Sequence, residues 1–290
     1  MKSMPMRSYS RGISLIEILI SLVIGLVVVG AVLISMIGSG KAGRYQAAYT
    51  QMNEDAQIGL SILSRELQQA GSSLPTGLAP VVPATVPPTL ALVFASLAGG
   101  TYVIGCDTGF VNPRAVPLVC GVGTQAAFEV VYEADGRTTA PTAAGIPTDC
   151  LGNSIAVGPP YIARNRYFTS VSAYGRPELS CTSANAALAS QPLLENIEAM
   201  AVSYGVAVTA APTQVVRYVT STDIRGVGPA EWLNVISVRV CLVVRSTDPV
   251  LDTGEDSPAY TDCAGAVQTP TDRYLRRSYF TTAAIRNRMP

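Results

Sequence analysis

The 290-residue chain contains no histidine, and of its 20 basic residues only Lys2 and Lys41 are lysines. Without histidine it lacks the usual general base near neutral pH, the commonest zinc ligand and the middle member of a Ser-His-Asp arrangement. Most hydrolase mechanisms are excluded on that ground, and no catalytic residue is assigned. Charge is also scarce: Asp, Glu, Lys and Arg make up 14% of the chain, against roughly a quarter in soluble domains. The 20 acidic residues balance the 20 basic ones, so no global basic field draws the chain to a phosphate backbone, and nucleic acid is not an expected partner.

Six cysteines are present, Cys106, Cys120, Cys150, Cys181, Cys241 and Cys263. They are widely spaced, form no CxxC pair and have no histidine to share a metal with. Disulfides in an oxidising compartment are the better reading than a thiolate site. Sequence leaves every connectivity open. Pairing of neighbours, 106 with 120, 150 with 181 and 241 with 263, is the expectation.

The one long apolar run is Ile13 to Ile37, interrupted in charge only by Glu17. At about 1.5 Å per residue it is long enough to cross a hydrocarbon core of about 30 Å. Lys2, Arg7 and Arg11 precede it, which favours a cytoplasmic N-terminus. A carboxylate inside such a run costs a few kcal/mol unless it stays near the interface or finds a cation. From Lys41 to Ala70 the pattern turns amphipathic. Tyr45, Tyr49, Met52, Ala56, Leu60, Leu63, Leu67 and Ala70 recur at three- and four-residue steps, and Gly71 follows as a stop. One helix of about 85 Å is therefore expected from Ser14 to Ala70. Gly25 and Gly30 lie in its apolar half, either as loosening points or as close-packing points between helices.

Gly12-Ile13-Ser14-Leu15-Ile16-Glu17 resembles the class III signal of type IV prepilins. The resemblance implies cleavage by prepilin peptidase between Gly12 and Ile13, N-methylation of Ile13 and an assembly role for Glu17. The family's usual first mature residue is phenylalanine, which Ile13 replaces. A physical reason accompanies the motif: in a staggered stack of helices, the new α-amine of one subunit can sit beside Glu17 of the next, so that two charges costly in lipid offset each other. Three further pieces are similar to PilW minor pilins: Leu60 to Gly71, Leu194 to Val206, and Asn234 to Arg245 with Phe280 to Pro290. This resemblance implies a low-abundance pilin that joins other minor pilins, the major pilin and a tip adhesin in a complex initiating the pilus. The J-type minor pseudopilin of type II secretion and a single-pass membrane-anchored protein are the alternatives.

Beyond Gly71 the prolines of Leu74 to Thr89 exclude a helix interior. Strands are expected at Ala126 to Tyr132, Tyr161 to Val171, Ile197 to Val206, Thr213 to Thr220, Leu233 to Arg245 and Tyr274 to Ile285. In the fifth, Val243 breaks the alternation, so its outer face should be partly covered. Glu133 to Ser154 and Ser180 to Gln191 read as long loops. The expected fold is α+β and pilin-like: a long N-terminal transmembrane and amphipathic helix packed on a disulfide-containing antiparallel sheet. The division is a leader at 1–12, a transmembrane half-helix at 13–37, an amphipathic half at 38–71 and a β-rich domain at 72–290. The resemblance to type IV prepilins implies that this domain is periplasmic while the helix sits in the inner membrane, and reaches the cell surface after assembly.

Two motifs mimic chemistry. Gly38-Ser39-Gly40-Lys41 resembles the end of a phosphate loop but lacks the first glycine, the Ser/Thr and a preceding strand. Asp248, Asp252, Glu255 and Asp256 offer oxygen ligands without EF-hand spacing, so a solvated acidic loop is expected rather than calcium. No cofactor or metal is assigned. Arg273, Arg276, Arg277, Arg286 and Arg288 make the C-terminus basic, mostly a solvated face with ordinary ion pairs. Tyr274, Tyr279 and Phe280 between them are expected in the core.

Overall fold

A computed structural model of the protein describes residues 12, 14–73, 101–155, 158, 160–184, 189–208 and 211–288. Most of the leader, Ile13 and the proline-rich run from Leu74 lie outside the described residues. The first element is a 55-residue helix α1, Leu15–Gln69, about 82 Å long at 1.5 Å per residue. The chain divides into two compact units between Ala47 and Ala48, so the helix runs from one into the other. Gly38 to Lys41 lies inside it, and the phosphate-loop likeness ends there.

In the first unit every large apolar side chain from Leu15 to Ile37 is exposed, between 52% and 76%. The richest 18-residue window of the helix has a mean hydropathy of 3.0. In the second unit α1 buries Met52, Ala56, Gly59, Leu63 and Leu67, the stripe set by the three- and four-residue spacing. Leu60 is half-buried, and Gly59 lies on the buried stripe in its place. A Cβ there would come within 3.1 Å of Leu242 Cδ1 and 3.2 Å of Leu194 Cδ2. The helix ends where Gly71 takes a φ of 70°, the left-handed stop glycine allows. Its N–H leaves the helix to bond Val131 O at 2.9 Å.

Leu242 and Leu194 belong to two different antiparallel sheets. The first is a meander of five strands in chain order, β1 Val103–Cys106, β2 Ala127–Glu133, β3 Ile162–Val171, β4 Pro177–Ser183 and β5 Gln191–Glu195. The second contains β6 Ile197–Val208, β7 Ala211–Val219, β8 Val235–Arg245 and β11 Arg276–Ala284, in the order β11-β8-β6-β7. A small hairpin of β9 Tyr260–Thr261 and β10 Val267–Gln268 precedes β11. A short helix α2, Ser221–Val227, and a 3-10 turn, Pro229–Asn234, join β7 to β8. The second half of α1 against disulfide-bearing antiparallel sheets is an α+β arrangement.

Three expectations need correction. Ser180 to Gln191 is not one loop, because β4 continues to Ser183 and β5 begins at Gln191. Its polar composition hid a strand buried at every position. Two of its polar side chains are paired inside the sheet: Ser170 Oγ donates to Glu178 Oε1 at 2.9 Å and shares a 2.7 Å hydrogen bond with Ser180 Oγ, while the Thr182 hydroxyl is buried without a partner among the described residues. Leu233 and Asn234 belong to the 3-10 turn instead of the strand. Phe280 is not core but 57% exposed, on a strand at the margin of its sheet.

The outer face of β8 is covered more fully than the alternation implied. Ser237, Cys241 and Val243 are all buried, and only Arg239 is exposed. Part of the cover is the disulfide from Cys263 to Cys241 and Tyr218 of β7, whose Oη lies in hydrogen-bond contact with Ser237 Oγ at 3.1 Å.

Candidate assembly site

Gly12 and Ser14 are exposed and outside any regular element, and the helix opens at Leu15. Ser14 O accepts from Glu17 N at 3.0 Å and from Ile18 N at 3.3 Å, which starts the i to i−4 ladder one turn after the Gly12-Ile13 junction. Glu17 stands in that first turn, where the exposed N–H groups of the helix favour a carboxylate. It is exposed, and among the described residues no ion pair includes it. Ile13, the expected cleavage and methylation residue, is outside the described residues. The geometry therefore presents an acid near the end of an apolar, uncovered helix, a form suited to meeting another subunit or lipid.

The other half of α1 is fixed to its own domain by polar as well as apolar contacts. Asn165 on β3 donates from Nδ2 to Glu66 Oε2 at 3.0 Å and to Tyr132 Oη at 3.2 Å, and its Oδ1 accepts from Cys150 N at 3.1 Å. Burial raises the Glu66 carboxyl above its ordinary range, against the opposing hydrogen bonds of Asn165, Tyr167 and Tyr132 and the charge of Arg65. Burial likewise pushes the Tyr132 and Tyr167 phenols up, with the Glu66 charge adding to it. On the second sheet Tyr279 Oη donates to Asn53 Oδ1 at 2.6 Å. At the junction of the sheets, Asn196 Nδ2 donates to Asp55 Oδ2 at 3.3 Å and Thr247 Oγ1 at 2.9 Å. Its φ is 68°, a conformation asparagine tolerates better than most residues.

Three disulfides hold the connecting segments. Cys106 joins Cys120, Cys150 joins Cys181 and Cys241 joins Cys263, with Cα separations of 5.4, 6.5 and 5.7 Å. The first closes a loop over β1 that is also held by a buried ion pair. Arg166 Nε bonds Glu129 Oε2 at 2.6 Å with both side chains 1% exposed, and its Nη1 donates to Pro113 O and Ala115 O at 2.9 and 2.7 Å. Asp107 bonds the first turn of α2, accepting from Ser221 N at 3.1 Å and Thr222 N at 2.8 Å. Burial opposes its charge, but the hydrogen bonds from Thr222 and Ser221 prevail and hold it below the usual carboxylate range. Sequence reasoning passed over Glu129, Arg166 and Asn165, although charged or amide residues inside expected strands are themselves a signal of internal pairing.

The C-terminal arginines separate into different roles. Arg276 is 5% exposed and paired with both Glu198 and Asp272, at 2.6 Å each; burial opposes its charge, and these hydrogen bonds raise it. Arg273, Arg277 and Arg286 are exposed, and the side chain of Arg288 lies outside the description. Asp252 and Glu255 share a turn through Asp252 N to Glu255 Oε2 at 3.3 Å. Among the described residues no three His, Cys, Asp or Glu side chains gather where they could hold a metal ion.

Comparison with known families gives two matches. The model described as Type IV Pilus-assembly protein W matches residues 166–287, from β3 through β11. The prokaryotic N-terminal methylation motif matches residues 7–33. No curated protein matches. Among solved structures, a type IV-like pilin from Thermus thermophilus is similar at 12% identity and a TM-score of 0.39, over 82% of this chain and 97% of that one.

Proposed function

We propose that this chain, a type IV prepilin-like protein of the PilW family, is cut between Gly12 and Ile13 by prepilin peptidase and methylated on Ile13. It then works as a minor pilin in the complex that initiates a type IV pilus. Before assembly the apolar half of α1 anchors it in the inner membrane, with the β-rich part in the periplasm. On incorporation, Glu17 accepts the α-amine of a neighbouring subunit. Other minor pilins, the major pilin and a tip adhesin are its partners in this reading.

The observation that carries the proposal is the helix itself. Seventeen large apolar side chains between Leu15 and Ile37 are exposed on one unbroken helix that begins with the methylation motif. Leaving a Leu, Ile or Val side chain in water forfeits about 1.5–3 kcal/mol each, so this surface requires lipid or other helices. The PilW match favours a pilus over a secretion pseudopilus.

Mass spectrometry of the N-terminal peptide, from sheared surface filaments and from membranes, tests it. A methylated peptide starting at Ile13 and enriched in filaments is expected. The same peptide confined to membranes would transfer the protein to a secretion pseudopilus, and an intact Met1 would end both readings.

A further inference from the structure

We propose that the free edge of β11 is a docking strand, on which an extended segment of another pilus protein, alternating acidic and apolar residues, adds as an antiparallel strand. The inference rests on the assembly reading above and names a partner surface for it. Four strands end the two sheets: β1 and β5 on one, β7 and β11 on the other. Natural sheets protect such margins by shortness, proline or bulges, because an open row of N–H and C=O groups templates further pairing. Here β1 has four residues and β5 five, with Pro192 in it, and β7 carries Pro212 and two register shifts against β6. β11 is neither short nor interrupted by proline or a bulge: nine residues pair with β8 in unbroken register, with charge only at its start, Arg276 and Arg277.

The direction of its hydrogen-bonding groups follows from the ladder. Ile285 N donates to Ile236 O, in line with the 277–244 to 283–238 register. Inward and outward groups alternate in an antiparallel pair, so odd-numbered β11 residues bond β8. The N–H and C=O of Ser278, Phe280 and Thr282 point to the open margin. Among the described residues these groups make no backbone hydrogen bond outside the β8 ladder.

A groove of about 490 Å³ runs along that margin and is lined from both faces of the strand. Tyr49 and Arg277 stand on the helix side, and Tyr260, Thr261 and Phe280 on the other. The hairpin flanks the margin without closing it, touching β11 through Ser278 Oγ to Thr261 O at 2.6 Å. Arg276 is neutralised by Glu198 and Asp272. Asp262 spends its carboxylate on Ala264 N, Ala266 N and Gln268 Nε2. Arg277 is in no ion pair among the described residues, its guanidinium lying 5.8 Å from the Tyr279 ring. The uncommitted charge of the groove is thus a cation on the helix side, opposite an apolar flank at Phe280. An incoming strand, whose side chains alternate between those flanks, matches with acidic residues on one and apolar residues on the other.

The test places benzophenone-alanine at position 278, at position 282 or, as a control, at position 216 on β7, in the full chain in piliated cells. Crosslinked peptides are then sequenced. The expected result is one acidic segment of another pilus protein, contacted from 278 and 282 at sites about four residues apart in reverse chain order. Thr282→Pro removes an outward N–H without breaking the β8 ladder, and should cut the yield from 278 about tenfold while keeping the disulfides and the melting temperature. If that variant does not fold, the crosslink map alone decides. Peptides of this same chain, contacts in parallel order, or yields no higher than at 216 would overturn the inference. Filament content is measured in the same cells: a chain present in filaments without margin crosslinks sinks only the inference. Margin crosslinks from a chain absent from filaments support the docking strand and sink the pilin reading.

Discussion

The two halves of α1 belong to one continuous helix yet differ in what covers them. From Leu15 to Ile37 the large apolar side chains are all exposed, whereas from Met52 to Leu67 one stripe is buried and Ile58, off that stripe, is exposed. The second half is covered by the protein's own two sheets, at Leu242, Leu194, Asn165 and Tyr279. The first half is apolar around its circumference, the signature of a helix covered on all sides. In the proposed function its cover comes from lipid before assembly and from other subunits after it. A pattern of hydrophobicity reports how many sides of a helix will be covered, and says nothing of which molecule covers them.

The comparison is broken most forcefully by truncating one leucine in each half. Leu67→Ala removes a side chain with 0% exposure and should cost about 2–5 kcal/mol, read by denaturant unfolding of the full chain in detergent. Leu26→Ala, at a residue 70% exposed, should change that stability by less than about 0.5 kcal/mol. Equal losses would remove the distinction. A smaller effect is expected at the β11 contact. Tyr279→Phe deletes the hydrogen bond to Asn53 and should cost about 1 kcal/mol, leaving membrane insertion unaltered. A melting temperature equal to the parent's would mean that this contact does not hold the helix.

The subtlest effect is one of pH. The Glu66 carboxyl is raised above its ordinary 4.5 by burial, so between that value and the raised one the folded state binds more protons than the unfolded state. Stability then falls as pH rises through this window and levels off above it. Glu66→Gln should abolish that fall, and a pH series of unfolding midpoints reads it. A parent curve that instead rises over the same window would contradict the burial of this carboxyl.

The helix was legible nearly to the residue, because a 25-residue apolar run followed by an amphipathic one leaves few alternatives, and Gly71 marks its end. The strands with alternating or β-branched residues, such as β6 and β8, were legible for the same reason. β4 was not, since Ser180 and Thr182 read as loop residues, and only the neighbouring strand shows Ser180 paired through Ser170 Oγ. The exposure of Phe280 was also hidden: a sequence does not say which strand will stand at the margin. The Gly12 to Glu17 motif was fully visible, but the network of Glu66, Asn165, Tyr132 and Tyr167 depends on contacts across 99 positions in the chain, which no local pattern contains.

Glu17 is where the account is most exposed to disproof. The measurement is the amount of a Glu17→Ala variant in sheared filaments, relative to its amount in membranes and with the N-terminal peptide checked in both. Normal insertion, removal of the first twelve residues and a loss from filaments of about tenfold or more are expected, the scale of leaving one charge in an apolar stack unpaired. Recovery equal to that of the unchanged chain would contradict the assembly role of Glu17.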